Sequence, residues 1–348
     1  MSEMTSDAET ASIEAAPKAA RVAAKLTKWT DAMERIGDDD GYLEAVGPKH
    51  LAFFAEDKAI LLVTFETAAS IQAAATEDEG ALPLGYRIAR EREWSNLCLI
   101  CDGETWYRDP AVFGYIDRLV DDAFFEDFDR VLFYGVGMGA YAAAAFSVAA
   151  PGARVLAISP RATLDPTVAG WDKRDPSARK LNFTDRYGFA PEMIEGTDKV
   201  WVVYDPESPL DAMHAALFRR PHVTALRAHH GRDGIAATLN DTQELIGLID
   251  QAMAGTLSPA TFARAWRSRR ENLPYLRALL QTVAERGRTD LEIGILRSIT
   301  RRMRAPRLAK RLAALTGASE MGAPARGASE RASPERLAQE TGAPQPSA

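Results

Sequence analysis

Residues 131–140 read V-L-F-Y-G-V-G-M-G-A, an apolar run that ends in a turn with three glycines. The apolar run has the length and composition of a buried β-strand. The next six residues, Y-A-A-A-A-F at 141–146, are small and apolar enough to form a helix that packs directly on a sheet. The stretch therefore predicts a strand, a tight glycine turn and a helix in direct succession, which is a unit of an α/β fold.

Strand-like and helix-like segments alternate on both sides of this unit. Most of the strand candidates are continuously apolar, as strands buried on both faces are; they are residues 60–65, 97–101, 130–134, 155–159, 200–204 and 223–227. Helices are predicted at 111–125, 141–149 and 209–218. Strands and helices in alternation predict a doubly wound, mostly parallel sheet.

The strand pattern stops after about residue 235. The segments that follow show the helical spacing of Leu, Ile, Phe and Val; they are residues 240–253, 259–268, 275–286 and 291–303. Both ends of the chain are poor in large apolar side chains, which is typical of disorder. We predict disordered residues 1–18, an α/β domain at 19–235, an α-helical C-terminal appendage at 236–316 and a disordered tail at 317–348.

The composition of the chain excludes several classes of protein. Its 348 residues are 46% hydrophobic and carry a formal net charge of −7, which disfavours binding to nucleic acid or to anionic membranes. The apolar runs are far shorter than the roughly 20 residues that span a bilayer, and the N-terminus lacks the order of a secretory signal. We expect a cytoplasmic protein with no membrane span and no nucleic-acid partner.

Local charge clusters depart from this overall balance. Basic residues concentrate at 267–270 and 301–311, and acidic residues at 121–129. Such clusters are most often solvated helix faces. The alternative is a docking surface, so a protein partner or self-association through the helical appendage stays open.

The two cysteines, Cys98 and Cys101, lie in the apolar run at 97–101. A redox-active C-x-x-C pair normally lies at a helix N-terminus, where the thiol pKa is lowered. Here the pair lies in a predicted strand, where residues three apart point to opposite faces. We predict buried structural thiols, no metal site and no bound cofactor.

The glycine turn has the spacing of G-x-S-x-G, the nucleophile elbow of α/β-hydrolases, with Gly137 at the position of the serine. In such an elbow the oxyanion is bound by the N–H of the residue after the nucleophile and by an N–H from an earlier loop. The corresponding residues are Met138 and Thr67. We therefore predict a vacant nucleophile position at Gly137, with Met138 and Thr67 as the backbone donors.

Serine hydrolases of this fold carry nucleophile, acid and histidine in that order along the chain. Asp205 follows the predicted strand 200–204, Asp211 lies six residues further on, and His229 and His230 follow the strand 223–227. A carboxylate in such a position orients an imidazole, which then acts as a general base. We predict one of the two Asp residues and one of the two His residues as site residues, and we interpret His50, His214 and His222 as structural.

The same turn is compatible with nucleotide binding. Residues 135–140 also fit G-x-G-x-x-G/A, in which glycines let backbone N–H groups approach a pyrophosphate. The next predicted strand leads to Arg161, which could contact a 2′-phosphate, but an acidic residue for the ribose is absent there. Such a motif usually follows the first strand of a fold, so the sequence favours the hydrolase interpretation.

Residues 134–172 resemble a known family. The segments Y-G-x-x-M-G-x-Y-A-A, P-G-A-x-V-L-A-I-S-P, L-D-P and W-D are similar to the bacterial α/β-hydrolase-like family whose elbow reads Y-G-S-S-M-G-G-Y. The resemblance covers roughly residues 95–235 and implies a sheet of α/β-hydrolase type. The second serine of that elbow is the family's nucleophile, and glycine occupies its position, 137, in this chain.

A second resemblance covers almost the whole chain between its predicted disordered ends. L-L-V-T-F-E-T-A at 61–68, W-Y-R-D-P at 106–110, F-F-E-D-F-D-R-V-L-F-Y-G at 124–135 and A-L-F-R-R-P at 216–221 are similar to an alphaproteobacterial group commonly labelled phosphoadenosine phosphosulfate reductase. That label implies a phosphate loop of the S-G-G-x-D-S type and a reactive C-terminal cysteine. The chain has neither, since Cys101 is its last cysteine.

Three functions follow from these patterns. The glycine at 137 favours a non-catalytic binding or scaffolding protein, with a small acyl or glycan ligand at a degenerate site. The first alternative is an active acyl hydrolase or acyltransferase with a displaced nucleophile, for which Ser159 and Thr67 are the nearest hydroxyl residues and neither lies on an elbow. The second alternative is a nucleotide-dependent enzyme, including the reductase of the label.

Overall fold

The computed structural model describes residues 29–76 and 79–321, and within them eight strands form one sheet. The strands are β1 (Gly41–Ala45), β2 (His50–Ala55), β3 (Lys58–Thr67), β4 (Trp94–Cys101), β5 (Arg130–Val136), β6 (Arg154–Ile158), β7 (Lys199–Tyr204) and β8 (Val223–Arg227), in the spatial order β1-β2-β4-β3-β5-β6-β7-β8. Strand β2 pairs antiparallel with β1 and β4, and all other neighbours are parallel. This sheet, with its flanking helices, confirms the predicted α/β class of α/β-hydrolase type.

Helices connect the strands and then continue without strands to the end of the described chain. They are α1 (residues 29–40), α2 (Ala68–Ala73), α3 (Leu84–Arg92), α4 (Pro110–Asp121), α5 (Met138–Phe146), α6 (Pro166–Ala169), α7 (Ala190–Met193), α8 (Pro209–Leu217), α9 (Ile235–Asp241), α10 (Leu245–Met253), α11 (Pro259–Trp266), α12 (Leu273–Glu285), α13 (Thr289–Arg302) and α14 (Pro306–Met321). Helix α4 begins where expected, because Asp109 accepts a hydrogen bond from the N–H of Ala111 at 2.9 Å and Pro110 takes the first position.

Helices cover both faces of the sheet, as in a doubly wound fold. Alternate residues of β4 belong to separate apolar clusters: Leu97 and Leu99 pack with α4 and α5, whereas Cys98 and Ile100 pack with α1 and α2. Because both faces are buried, the strands read as continuous apolar runs. This is why the sequence pattern identified them.

Two departures from the predicted elements have local causes. Strands β1 and β2 were not predicted; β1 is short and half-exposed, and β2 contains His50 and two alanines. The helix predicted at 240–253 is divided into α9 and α10 by Gln243, whose φ of 60° lies in the left-handed region. No glycine or proline marks that break in the sequence, so pattern reasoning had no signal for it.

The chain divides into two compact units, one ending at Leu279 and the other beginning at Leu280. In the first unit α10 contacts β5 and β6, and α11 contacts β8. In the second unit α13 packs against α14, and the Arg311 guanidinium pairs with the Glu292 carboxylate at 2.9 Å.

The domain boundaries at 235/236 and 316/317 stay predictions. Residues 1–18 and 322–348, where disorder is predicted, lie outside the described residues, and residues 317–321 continue α14. No helix in the described part of the chain is long and apolar enough to cross a membrane.

Candidate functional site

The glycine turn after β5 is packed tightly between the sheet and α5. A Cβ atom at Gly135 would lie 2.1 Å from the carbonyl oxygen of Gly139, and one at Gly139 would lie 2.4 Å from that of Phe65. Both outer glycines are therefore required by the close approach of α5 to the sheet. A Cβ at Gly137 would meet nothing within 4 Å, and its φ of 57° and ψ of −113° form a backbone conformation that residues with a side chain rarely adopt.

The two predicted backbone donors lie at the same edge of the sheet as Gly137. Strand β3 pairs Phe65 with Gly135, so Thr67 and Gly137, two residues further on, leave neighbouring strands side by side. The N–H of Thr67 already donates to the Ser70 hydroxyl at 3.3 Å in the capping box of α2. Met138 begins α5, and its sulfur accepts a hydrogen bond from the backbone N–H of Trp106 at 3.0 Å. Their oxyanion role stays a prediction.

Asp205 follows β7 and organises the loop after β8. Its carboxylate accepts hydrogen bonds from the backbone N–H groups of His230 at 3.1 Å and Arg232 at 2.9 Å. Burial and the neighbouring Glu207 carboxylate raise the pKa of Asp205. Its hydrogen bonds go to backbone N–H groups, so Asp205 holds the loop in place and does not contact an imidazole through any described hydrogen bond.

Glu207, which the sequence analysis did not single out, forms the carboxylate–histidine pair of this edge. Its Oε1 lies 2.7 Å from Nδ1 of His229, and its Oε2 accepts from the His230 N–H at 3.2 Å. Although burial alone would raise the pKa of Glu207, the neighbouring Asp205 carboxyl and the hydrogen bonds from His229 and the His230 backbone lower it to about 2. The carboxylate is therefore ionised near neutral pH and can accept from Nδ1–H of His229, whose Nε2 has no hydrogen-bond partner among the described residues.

The structure separates the two histidines that the sequence left open. The side chain of His229 is 51% exposed and pairs with Glu207, while His230 is engaged through its backbone and has a φ of 59°. Trp266 of α11 donates from its indole N–H to the His229 carbonyl at 3.2 Å, which fixes the backbone of that residue.

Asp211, the other predicted acid, lies on α8 in a different cluster. It pairs with Arg174 at 2.6 Å, and no hydrogen bond among the described residues joins it to His229 or His230. Arg174 also binds Asp172 at 2.9 Å. The catalytic role of Asp211 stays a prediction, with no geometric support from these contacts.

A second carboxylate–histidine pair lies inside the protein. Nε2 of His214 is 3.0 Å from the Asp172 carboxylate, and Nδ1 of His214 accepts from the N–H of Ala162 at 3.2 Å. Burial, together with the nearby guanidinium groups of Arg161 and Arg174, lowers the pKa of His214 to about 4 despite its carboxylate partner. Both ring nitrogens are occupied, which agrees with a structural histidine.

Backbone strain is concentrated at the carboxyl ends of the strands. Nine non-glycine residues among those described have a positive φ, and five of them follow a strand at this edge: Trp106, Tyr107, Ser159, His230 and Arg232. Residues in this region cost about 1–3 kcal/mol each and cluster at functional sites. The distribution marks this edge, where the glycine turn also lies, as the candidate site.

The two cysteines are buried in β4 and point to opposite faces, as predicted. Burial raises the pKa of both thiols. Neither is the reactive, low-pKa thiolate of a redox enzyme.

No protein-family model matches the chain, and no curated protein matches it. Among solved structures, it is similar to a glycosylation-associated protein (Gap123) complex of Streptococcus agalactiae, with 11% identity over 60% of this chain and 46% of that chain and a TM-score of 0.38. It is also similar to an esterase of Pyrococcus furiosus, with 10% identity over 58% and 84% and a TM-score of 0.37. A carboxyl esterase of Tuber melanosporum matches with 12% identity over 65% and 83% and a TM-score of 0.35. The chain thus spans less than half of the first of these proteins.

Proposed function

We propose that this chain performs acyl-group chemistry, as an acyl hydrolase or acyltransferase, with Glu207 and His229 as its carboxylate–histidine pair. The observation that carries the proposal is the 2.7 Å hydrogen bond between His229 Nδ1 and the Glu207 carboxylate. A carboxylate that binds Nδ1–H fixes the tautomer and stabilises the imidazolium that forms when Nε2 takes a proton.

The position of the pair supports this proposal. Glu207 follows β7 and His229 follows β8, at the same sheet edge as the glycine turn after β5. Acid and histidine thus come after the turn in the order that serine hydrolases of this fold use. Asp205 stabilises the loop that carries His229, because its carboxylate accepts hydrogen bonds from the N–H groups of His230 and Arg232.

The test is hydrolysis of p-nitrophenyl acetate by the purified full chain. We expect turnover above background that falls by about 10³-fold in His229→Ala. His230→Asn is the matched variant, since asparagine tolerates the positive φ at that position; it should keep most of the activity. Turnover that is absent, or unaffected by His229→Ala, would contradict the proposal.

A second candidate function, ligand binding or scaffolding without turnover, is favoured by Gly137. Removing the nucleophile of a triad leaves only the residual catalysis of the oxyanion site and of binding. The space at Gly137 would then admit atoms of an acyl or glycan ligand, since a Cβ there meets nothing within 4 Å.

The variant Gly137→Ser separates this candidate from the first. The new side chain has room, and the backbone conformation at this position, with φ 57° and ψ −113°, should cost about 1–3 kcal/mol of stability. Ester hydrolysis that appears only in Gly137→Ser would establish a vacated elbow that faces the Glu207–His229 pair. The matched variant Gly103→Ser, also at positive φ and open space, should produce no activity.

A nucleotide-dependent reductase has the least support. The predicted phosphate contact, Arg161, pairs with Asp172 and Asp175 and lies over the ring of Trp106 at 5.1 Å. Its charge is therefore already matched inside the protein. We accordingly do not propose a bound nucleotide.

A further inference from the structure

Ser159 occupies the turn after β6, between the glycine turn and the Glu207–His229 pair. In the sheet, β6 lies next to β5 on one side and next to β7 on the other. Strand pairing places Val136 opposite Ile158 and Ile158 opposite Val203. Gly137 and Ser159 therefore leave adjacent strands at the same level, and neighbouring strands lie about 4.8 Å apart.

The backbone of Ser159 is in an unusual conformation. Its φ is 53°, whereas a residue before proline, here Pro160, prefers φ near −120°. A positive φ is uncommon for any residue other than glycine, asparagine or aspartate. The conformation is thus opposed both by the side chain and by the proline that follows.

Hydrogen bonds on both sides hold this strained turn. The N–H of Ser159 donates to the carbonyl of Val203 in β7 at 2.7 Å, and the N–H of Ala162 donates to the buried imidazole of His214 at 3.2 Å. The preceding carbonyl, that of Ile158, accepts from the N–H of Gly137 at 2.8 Å. Strain that the surroundings impose in this way is found where a side chain must be aimed.

The loop after β8 folds back toward this turn. Tyr204 pairs with Arg227, and the N–H of Ala228 continues the ladder to the Tyr204 carbonyl at 2.8 Å. The Asp205 carboxylate then binds the N–H groups of His230 and Arg232, which keeps residues 229–232 over the end of β7. His229 thus follows β8, two strands from Ser159 at the same sheet edge, on the loop that Asp205 holds at the end of β7.

The Ser159 hydroxyl has no hydrogen-bond partner among the described residues, unlike two other hydroxyls at this edge. The Thr67 hydroxyl is engaged with Ser70, and the Thr105 hydroxyl with His50. No described residue hydrogen-bonds to the side chain of Ser159, which is half-buried.

We propose that Ser159 is the nucleophile of this site, one strand away from the usual elbow position, and that His229 is its general base. This inference rests on the proposed acyl-group chemistry and names the residue that becomes acylated. The glycine at 137 fits it, because the absent side chain leaves space beside Ser159 for the acyl group.

The reaction proceeds in two balanced steps. In the first, the Ser159 oxygen attacks the acyl carbon while its proton moves to His229 Nε2; the bond to the leaving alkoxide breaks, and the alkoxide takes that proton. The product is an ester of Ser159. In the second, water or an acceptor hydroxyl attacks the acyl carbon of that ester and gives its proton to His229. The bond between the acyl carbon and the Ser159 oxygen breaks, the carboxylic acid or new ester leaves, and His229 returns the proton to the Ser159 oxygen. The N–H of Met138, at the start of α5 after the neighbouring strand, is the donor that we assign to the oxyanion.

The experiment is labelling of the full chain with a fluorophosphonate, followed by peptide mass spectrometry and the esterase assay. We expect one adduct, on the peptide that contains Ser159, and a loss of at least about 100-fold in turnover in both Ser159→Ala and Ser159→Gly. Glycine adopts the φ of 53° without strain, so the turn should still fold in Ser159→Gly. A loss of turnover in that variant is then due to the missing hydroxyl and not to misfolding.

Ser208→Ala is the matched control. Ser208 is a half-buried serine after β7 at the same edge, and its side chain makes no capping hydrogen bond; labelling and turnover should persist. Esterase activity that survives both Ser159 variants, or an adduct on another residue, would overturn the role of Ser159 while leaving the acyl chemistry intact. A wild-type chain with neither turnover nor adduct would overturn the proposed function itself, and the role of Ser159 with it.

Discussion

The two carboxylate–histidine pairs of this chain use the same chemical groups in opposite ways. Asp172 and His214 have no exposed side-chain surface, and both ring nitrogens of His214 are hydrogen-bonded. The His229 side chain is 51% exposed and is bound at Nδ1 by Glu207. His214 is buried and bound to a backbone N–H and to Asp172, whereas His229 is exposed at a strand end and keeps Nε2 without a partner among the described residues.

Each of the two pairs nevertheless lies next to the segment that follows β6. His214 binds the N–H of Ala162, three residues after Ser159, and so anchors the segment that leaves β6. Glu207 orients His229 from the other side of that strand, after β7. We infer that the buried pair sets the position of the β6 turn and that the exposed pair supplies the base.

The largest expected difference between the pairs is in stability. Asp172→Asn removes the charge that faces His214, Arg161 and Arg174 inside the protein, and breaking a buried ion pair costs about 3–5 kcal/mol. Glu207→Gln is the matched change in the exposed pair and should cost less than about 1 kcal/mol. Urea unfolding monitored by tryptophan fluorescence measures both. Equal losses in the free energy of unfolding would contradict the distinction between a structural Asp172–His214 pair and a proton-exchanging Glu207–His229 pair.

The next difference is in pH dependence. The unfolded chain protonates His214 below a pKa of about 6.5, but the folded chain does so only at about 4. The unfolded state therefore binds more protons in this window, so stability falls as the pH drops from 6.5 to 4, by roughly 3 kcal/mol for this group. The groups that face it are Asp172, Arg161 and Arg174.

His214→Gln tests this contribution, because glutamine can still donate to Asp172 but does not titrate. The loss of stability between pH 6.5 and pH 4 should be smaller in this variant by about the same roughly 3 kcal/mol. His229→Gln is the control. If the wild type and His214→Gln lose stability in parallel over this range, then His214 is not the buried neutral histidine described above.

The sequence was sufficient to predict the fold class and to propose a site at one edge of the sheet. Continuous apolar runs identified six of the eight strands, because strands buried on both faces leave that signal. The glycine turn and the order of acid and histidine predicted a site at one edge of the sheet, and the structure places these residues at that edge.

The sequence was not sufficient to predict which carboxylate pairs with a histidine at that edge. Asp205 and Glu207 are two residues apart after the same strand, and only the folded loop decides that Asp205 binds backbone N–H groups while Glu207 binds the imidazole. The strain at Ser159 also leaves no mark in the sequence, since S-P dipeptides are common in turns. Directions of side chains at loop positions depend on tertiary contacts, which a pattern does not contain.

The smallest expected effect concerns the support of His229 by α11. Trp266→Phe removes the indole N–H that binds the His229 carbonyl at 3.2 Å, which should cost about 1–2 kcal/mol of stability. Trp201→Phe is the matched variant, because the buried Trp201 indole makes the same kind of bond to the Leu257 carbonyl at 2.9 Å. Both variants should lose similar stability, but only Trp266→Phe should lower esterase turnover, by about tenfold, because it loosens the base. Equal turnover in the two variants would mean that the backbone of His229 needs no anchor on α11.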